Sequence, residues 1–220
     1  MNRRLVALLV PVLLAGCTAT EPDQPAGPSA RAERPSPFAD CAALTAPLGG
    51  ASSASVGPAE PTGPAEPTGT ARPAAGAGVG EPLPDLSFPC FTGGAPTALR
   101  EVTGPAVINV WASWCPPCRA ELPAFQRLSE RTAGRLHVLG VNSRDRRAGA
   151  QSIGEDFGVR FPMLVDQGDA VQRELRRNAI PLTVFVGADG RVRHVDASGA
   201  LDDTRLAELV ARHLGVRVAA

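Results

Sequence analysis

Residues 105–111 form an almost continuous apolar run of strand length, as expected for a strand covered on both faces. The stretch that follows, 116–131, changes period: Leu122, Phe125 and Leu128 recur on one side of a helix, and Pro123 inside it is expected to kink it. A second buried strand is read at 136–142, a helix at 148–157 weakened by Gly154, and a short strand at 162–165. Asp169 is expected to cap a helix over 169–177. Strands at 182–186 and 191–195 are joined through Ala188-Asp189-Gly190, a hairpin signal, and Asp202 or Asp203 caps a last helix running to about Leu214. Upstream, 86–92 reads as an edge segment, because Pro89 is unsuited to a central strand, and 97–102 as a helical turn. The order βαβαβαββα predicts an α/β fold over residues 83–220, a central mixed β-sheet with helices on both faces.

The pattern before residue 83 is different. Arg3-Arg4 followed by the apolar residues 5–14 has the layout of an export signal, too short to span a bilayer. It ends in Leu14-Ala15-Gly16-Cys17, which resembles the bacterial lipobox; that resemblance implies cleavage and acylation of Cys17, within a signal segment 1–17. An ordinary signal peptide, with Cys17 a bystander, is the alternative. Residues 18–82 are rich in Pro and Gly, roughly a third of the positions, a composition expected of a disordered linker. Pro58-Ala59-Glu60-Pro61-Thr62-Gly63 is repeated at once by Pro64-Ala65-Glu66-Pro67-Thr68-Gly69, too short a repeat for a solenoid and suited to a semi-extended spacer. Within the linker, 36–48 carries Phe38, Cys41, Leu44 and Leu48, an apolar island able to dock on the domain.

Candidate chemistry sits at the junction of the first buried strand and its helix, in Trp114-Cys115-Pro116-Pro117-Cys118. Two thiols one turn apart can close a disulfide. The first lies at a helix N-terminus, where unpaired backbone N–H groups stabilise a thiolate. That is equipment for thiol–disulfide exchange. A c-type haem site would need His where Arg119 stands, and a zinc site would have to recruit the distant single residues Cys41 and Cys90. Two inert buried cysteines are a further alternative, opposed by the prolines that mark an exposed helix start. Neither a metal nor a cofactor is expected.

Formal net charge is zero, so nothing suggests a nucleic-acid surface. With Cys17 acylated and Cys115 paired to Cys118, Cys41 and Cys90 remain in an oxidising compartment, and an even remainder suggests a second, structural bridge. Two free thiols or an intermolecular link are the alternatives. His137, His194 and His213 are read as structural or surface residues. Arg173, Arg176 and Arg177 fall at i, i+3 and i+4 of the predicted helix, a solvated face or an acidic-partner surface.

Residues 83–214 resemble the thioredoxin superfamily, and within it the membrane-tethered thiol–disulfide reductases of the TlpA/ResA type, which include cytochrome c maturation proteins. The resemblance is carried by Val110-Trp111-Ala112-Ser113-Trp114-Cys115-Pro116-Pro117-Cys118-Arg119-Ala120-Glu121-Leu122-Pro123 and by Ile180-Pro181-Leu182-Thr183-Val184-Phe185-Val186. It implies that Cys115 is an exposed nucleophile, Cys118 the resolving thiol and Pro181 the cis-proline beside the disulfide. With Trp114, Pro116, Pro117 and Ile180, Pro181 would then seat an extended substrate. Asn109 stands where ordinary thioredoxins carry a buried Asp. Glu121 stands where TlpA/ResA-type proteins carry a Glu, nearly one turn past Cys118, and the resemblance makes it the proton partner of the resolving thiol. A solvated first-turn Glu is the alternative. Ala179, Leu182 and Gly187 depart from the usual family residues, which leaves partner choice open.

The function so implied is an extracytoplasmic, membrane-anchored oxidoreductase that reduces protein disulfides. The implied targets are the CxxCH motifs of apocytochromes c, and the implied electron source is a transmembrane carrier of the CcdA kind. A disulfide-forming oxidant with the same site, and a non-catalytic lipoprotein binding domain with a structural CxxC, are the competing functions. A peroxidase of the peroxiredoxin kind would not need a CxxC at a helix start.

Overall fold

The computed structural model describes residues 34–49 and 78–218; the signal segment with Cys17 and the hexapeptide spacer lie outside them. A short antiparallel pair comes first, β1 (Ser87–Phe88) with β2 (Thr97–Ala98). The main chain of elements follows as β3 (Ala106–Trp111), α1 (Pro116–Arg131), β4 (His137–Ser143), α2 (Arg147–Asp156) and β5 (Met163–Asp166). It ends with α3 (Ala170–Glu174), β6 (Leu182–Val186), β7 (Val192–Asp196) and α4 (Asp203–Leu214). Five strands form one sheet in the order β5-β4-β3-β6-β7. β3, β4 and β5 are parallel, whereas β6 is antiparallel to both β3 and β7. The molecule thus has the mixed α/β architecture expected from the element order.

All six residues of β3 are buried, because the central strand has an apolar layer on each face. On one face Val107, Trp111 and Phe185 pack against Leu122, Phe125 and Leu128 of α1 and Leu206, Leu209 and Val210 of α4. On the other, Ile108, Val110, Val184 and Leu139 meet Val171 and Leu175 together with Leu44, Leu83, Phe88 and Leu99. α1 runs unbroken through Pro123, which removes only the bond its N–H would have made to the Arg119 carbonyl.

The apolar island of the linker docks on this core. Phe38, Cys41 and Leu44 are buried, and the Phe38 ring packs edge-on against Phe91 at 4.8 Å. Backbone bonds from Ala39 to Arg160 and from Thr103 to Leu44 fix the segment, and a Cys41–Cys90 disulfide clamps it. This explains the glycine in α2: a Cβ on Gly154 would lie 2.6 Å from the Phe38 ring. Residues 80–82 also run beside β7, with Gly80 N–H bonded to Val192 and Pro82 bridged to Arg191, so the ordered part begins before residue 83.

Three local readings are corrected. Asp169 does not cap α3, since its carboxylate is taken by Arg173; Asp166 at the end of β5 instead accepts from Gly168 N (3.1 Å) and Val171 N (3.2 Å). α3 stops at Glu174, because Arg176 turns left-handed (φ 53°), so Arg176 and Arg177 do not extend the helical face of Arg173. The expected turn at 97–102 opens as β2 before a single 3-10 turn at Leu99–Glu101.

Candidate active site

β3 ends at Trp111, and a three-residue loop leads to Cys115, the N-cap of α1. Pro116 suits the first helical position, where its missing N–H is no loss. Cys115 and Cys118 are joined in a disulfide with a Cα separation of 5.3 Å, and Cys118 N–H donates to Cys115 Sγ at 3.3 Å. The resemblance implied an exposed Cys115, but it is only 4% accessible, with the Ile180 carbonyl against its sulfur. Cys118 is fully covered.

Residues beside the same end of the sheet, before β6 and after β4, complete the surroundings. The Ile180–Pro181 peptide is cis, and the Ile180 carbonyl oxygen lies 3.9 Å from Cys115 Sγ. Trp114 is 59% exposed, its Nε1 donating to the Arg144 carbonyl at 3.0 Å, so the ring stands out from the surface beside the disulfide. Between Trp114, Arg144, Asn178, Ala179 and Ile180 opens a cleft of about 240 Å³. Pro116 and Pro117 are exposed at the helix tip, whereas Pro181 is buried. The structure therefore groups Cys115, Cys118, Trp114, Pro116, Pro117, Ile180 and Pro181 at one end of the sheet.

Glu121 is buried, at 1% exposure, one turn along α1 from Cys118. Oε1 accepts from Asn109 Nδ2 at 2.6 Å and Oε2 from Leu201 N at 3.1 Å. Burial outweighs these bonds and raises its pKa to about 7, with a smaller push from the Asp196 charge. A carboxyl so placed can take or give a proton at neutral pH. Asn109 is fully buried, and its Oδ1 has no hydrogen-bond partner among the described residues.

Asn109 was noted from the sequence as a departure from the thioredoxin pattern, but not as the anchor of Glu121, and one residue of this site was not singled out at all. That residue, Asp145, carried no signal: its carboxylate accepts from Ser113 N (2.5 Å), Ser113 Oγ (2.7 Å), Asn142 Nδ2 (2.8 Å) and Arg146 N (2.7 Å). That fork ties the loop after β4 to the loop that carries the disulfide. Cys41 and Cys90 lie away from this centre, clamping the docked segment. The histidines separate into His137, bonded to Thr103, and a stacked pair, His194 over His213 at 4.2 Å. Among the described residues no three His, Cys, Asp or Glu side chains converge as a metal site, and no helix is long and apolar enough to cross a membrane.

The chain is similar to known proteins. Residues 79–195 match the model of the AhpC/TSA family. A thiol:disulfide interchange protein DsbE of Allochromatium vinosum is 31% identical over 144 residues, 62% of this chain and 78% of the relative. The thiol-disulfide oxidoreductase ResA of Halalkalibacterium halodurans is 28% identical over 103 residues, 46% of this chain, and the match spans only 58% of its own length. The crystal structure of a thio-disulfide isomerase from Thermus thermophilus superposes with a TM-score of 0.51 at 28% identity, covering 60% of this chain and 94% of that one. Sheet, cysteine pair and relatives agree: the chain belongs to the AhpC/TSA family, as a thioredoxin-fold member similar to the ResA and DsbE thiol–disulfide oxidoreductases.

Proposed function

We propose that this protein is an extracytoplasmic thiol–disulfide oxidoreductase, held at the membrane through acylated Cys17, that reduces disulfides in other proteins. The observation that carries this reading is a disulfide at the tip of α1 with a buried carboxyl one turn behind it, titrating near neutrality. In the reduced protein, the N-terminus of α1 and the Cys118 N–H stabilise a Cys115 thiolate. That thiolate attacks one sulfur of the substrate disulfide, and the other substrate sulfur leaves as a thiolate. Cys118 then gives its proton to the Glu121 carboxylate and attacks Cys115 Sγ. This expels the second substrate thiolate and closes the Cys115–Cys118 bond. Two electrons pass from the cysteine pair to the substrate, and the proton on Glu121 returns to solvent.

An extended substrate strand lies along Ile180 and Pro181, with Trp114, Pro116 and Pro117 bounding the approach to Cys115. The resemblance of the motif around Cys115 to TlpA/ResA-type proteins, which include cytochrome c maturation proteins, supports apocytochrome c CxxCH segments as targets. A CcdA-type transmembrane dithiol would restore the two electrons. The test is to express Cys118→Ser, which stalls at the mixed disulfide, and to identify what is bound to Cys115. Capture of an extracytoplasmic CxxCH protein is expected; a trap that fills only with a disulfide-forming oxidase would overturn the reductase reading.

A further inference from the structure

Asp196 is a buried carboxylate, 8% exposed, that the exchange chemistry leaves unused. It is the last residue of β7, and strand register places it opposite Thr183 of β6. Thr183 is in turn opposite Asn109 of β3. Residues directly opposed on a sheet point to the same face, so Asn109, Thr183 and Asp196 form a transverse row of buried polar side chains. The next row on that face is Val107, Phe185 and His194, and Phe185 is wholly buried under α4.

Glu121 ends on this row. It takes one hydrogen bond from Asn109 and the other from Leu201, in the loop that leaves Asp196 for α4. Two strand spacings put Asp196 about 10 Å from Asn109 along the row. The Asp196 charge is well fixed. Burial opposes it, but Oδ1 accepts from Ser198 N (3.0 Å) and Ser198 Oγ (2.7 Å). With His194 and Arg205 nearby, these bonds hold the carboxyl below the usual carboxylate range. His194 Nε2 faces Oδ2 at 3.7 Å and is itself stacked on His213. The two hydrogen-bond donors to Glu121, the Asn109 amide and the Leu201 N–H, are uncharged, and Asp196 at the end of the row is the negative charge that acts on it.

We propose that Asp196 is a positioning residue for the exchange reaction: its fixed charge, at the far end of the buried polar row, holds the proton on Glu121 and so governs when that carboxyl can accept one from Cys118. The consequence for catalysis rests on the proposed role of Glu121 as proton acceptor, whereas the electrostatic coupling itself does not.

The experiment follows the Glu121 side-chain carbon by NMR through a pH titration of the full-length oxidised chain, with Glu121→Gln used to assign the signal. Asp196→Asn removes the charge yet keeps an oxygen for both Ser198 bonds, and Ser198→Ala removes the hydroxyl yet keeps the charge. With Asp196→Asn the Glu121 midpoint should fall by roughly 0.3 to 1 pH unit, while Ser198→Ala should leave it within about 0.2 unit. The pH profile of mixed-disulfide resolution should move down by the same amount. An unmoved midpoint in Asp196→Asn, or an equal shift in Ser198→Ala, overturns the proposal. A moved midpoint with an unmoved kinetic profile keeps the coupling and refutes instead the acceptor role of Glu121. Should Asp196→Asn not fold, Asp196→Ser, which removes the same charge, carries the test.

Discussion

Glu121→Gln should remove a pH dependence that the wild-type fold carries. In the folded protein the Glu121 carboxyl titrates near pH 7, against an ordinary value of 4.5, chiefly because it is buried. Its contribution to stability is therefore intact below pH 4.5 and is lost as pH rises through about 7, where the folded state has to hold a buried charge. At 1.36 kcal/mol per unit, the shift corresponds to roughly 3 kcal/mol once both states are ionised. Glutamine has the same shape and no charge. Its oxygen can accept from Leu201 N–H and its amide can donate to Asn109 Oδ1 after a half-turn of the Asn109 side chain. One Asn109 atom is then left without a partner, as in the wild type. Urea unfolding of both oxidised proteins, at constant ionic strength from pH 5 to 8.5, isolates this effect as the difference between them. Asp196, Asp203 and the histidines are common to both. The two should lie within about 1 kcal/mol at pH 5, and the balance should move in favour of the variant by roughly 2 to 3 kcal/mol by pH 8.5. A difference that stays flat with pH would show that Glu121 ionises as an ordinary carboxylate and would refute the reasoning.

Three further outcomes are expected. In the reduced protein, iodoacetamide at neutral pH should modify Cys115 at least about tenfold faster than Cys118, read by peptide mass; faster labelling of Cys118 would reverse their roles. Replacing Cys41 and Cys90 together by Ala should lower the unfolding free energy by up to about 4 kcal/mol for a loop spanning 49 residues, and a loss under about 1 kcal/mol in urea would deny the clamp a stabilising role. Gly154→Ala improves helix propensity but drives a methyl into the Phe38 ring, so it should destabilise by about 1 to 3 kcal/mol. Faster amide exchange at residues 36–44 should accompany that loss, and a stabilised variant would contradict the packing.

What the sequence made legible was local. The apolar run of β3 and the periodic face of α1 announce themselves because each is decided by its own residues, and the CxxC stands at their junction. Glu121 is one turn from Cys118 by spacing alone. Its partners are not local: Asn109 precedes it by 12 residues and Leu201 follows by 80, and only the packing of α1 on the sheet brings them together. The cap of α3 was misread for the same kind of reason, since a carboxylate at the end of β5 reaches the N–H groups first. Asp145 escaped notice because it is one of many polar residues in a loop, and its meaning comes from the loop it meets. His194 and His213 stack because β7 and α4 converge over Phe185, which no spacing between them foretells.

The reduction potential of the Cys115–Cys118 pair, measured in the full-length chain by equilibration with a dithiol–disulfide buffer, tests the central claim most directly. A protein that delivers electrons to extracytoplasmic disulfides should have a value in the reducing range, near roughly −270 mV. A value near roughly −120 mV would make the same pair an oxidant and contradict the account.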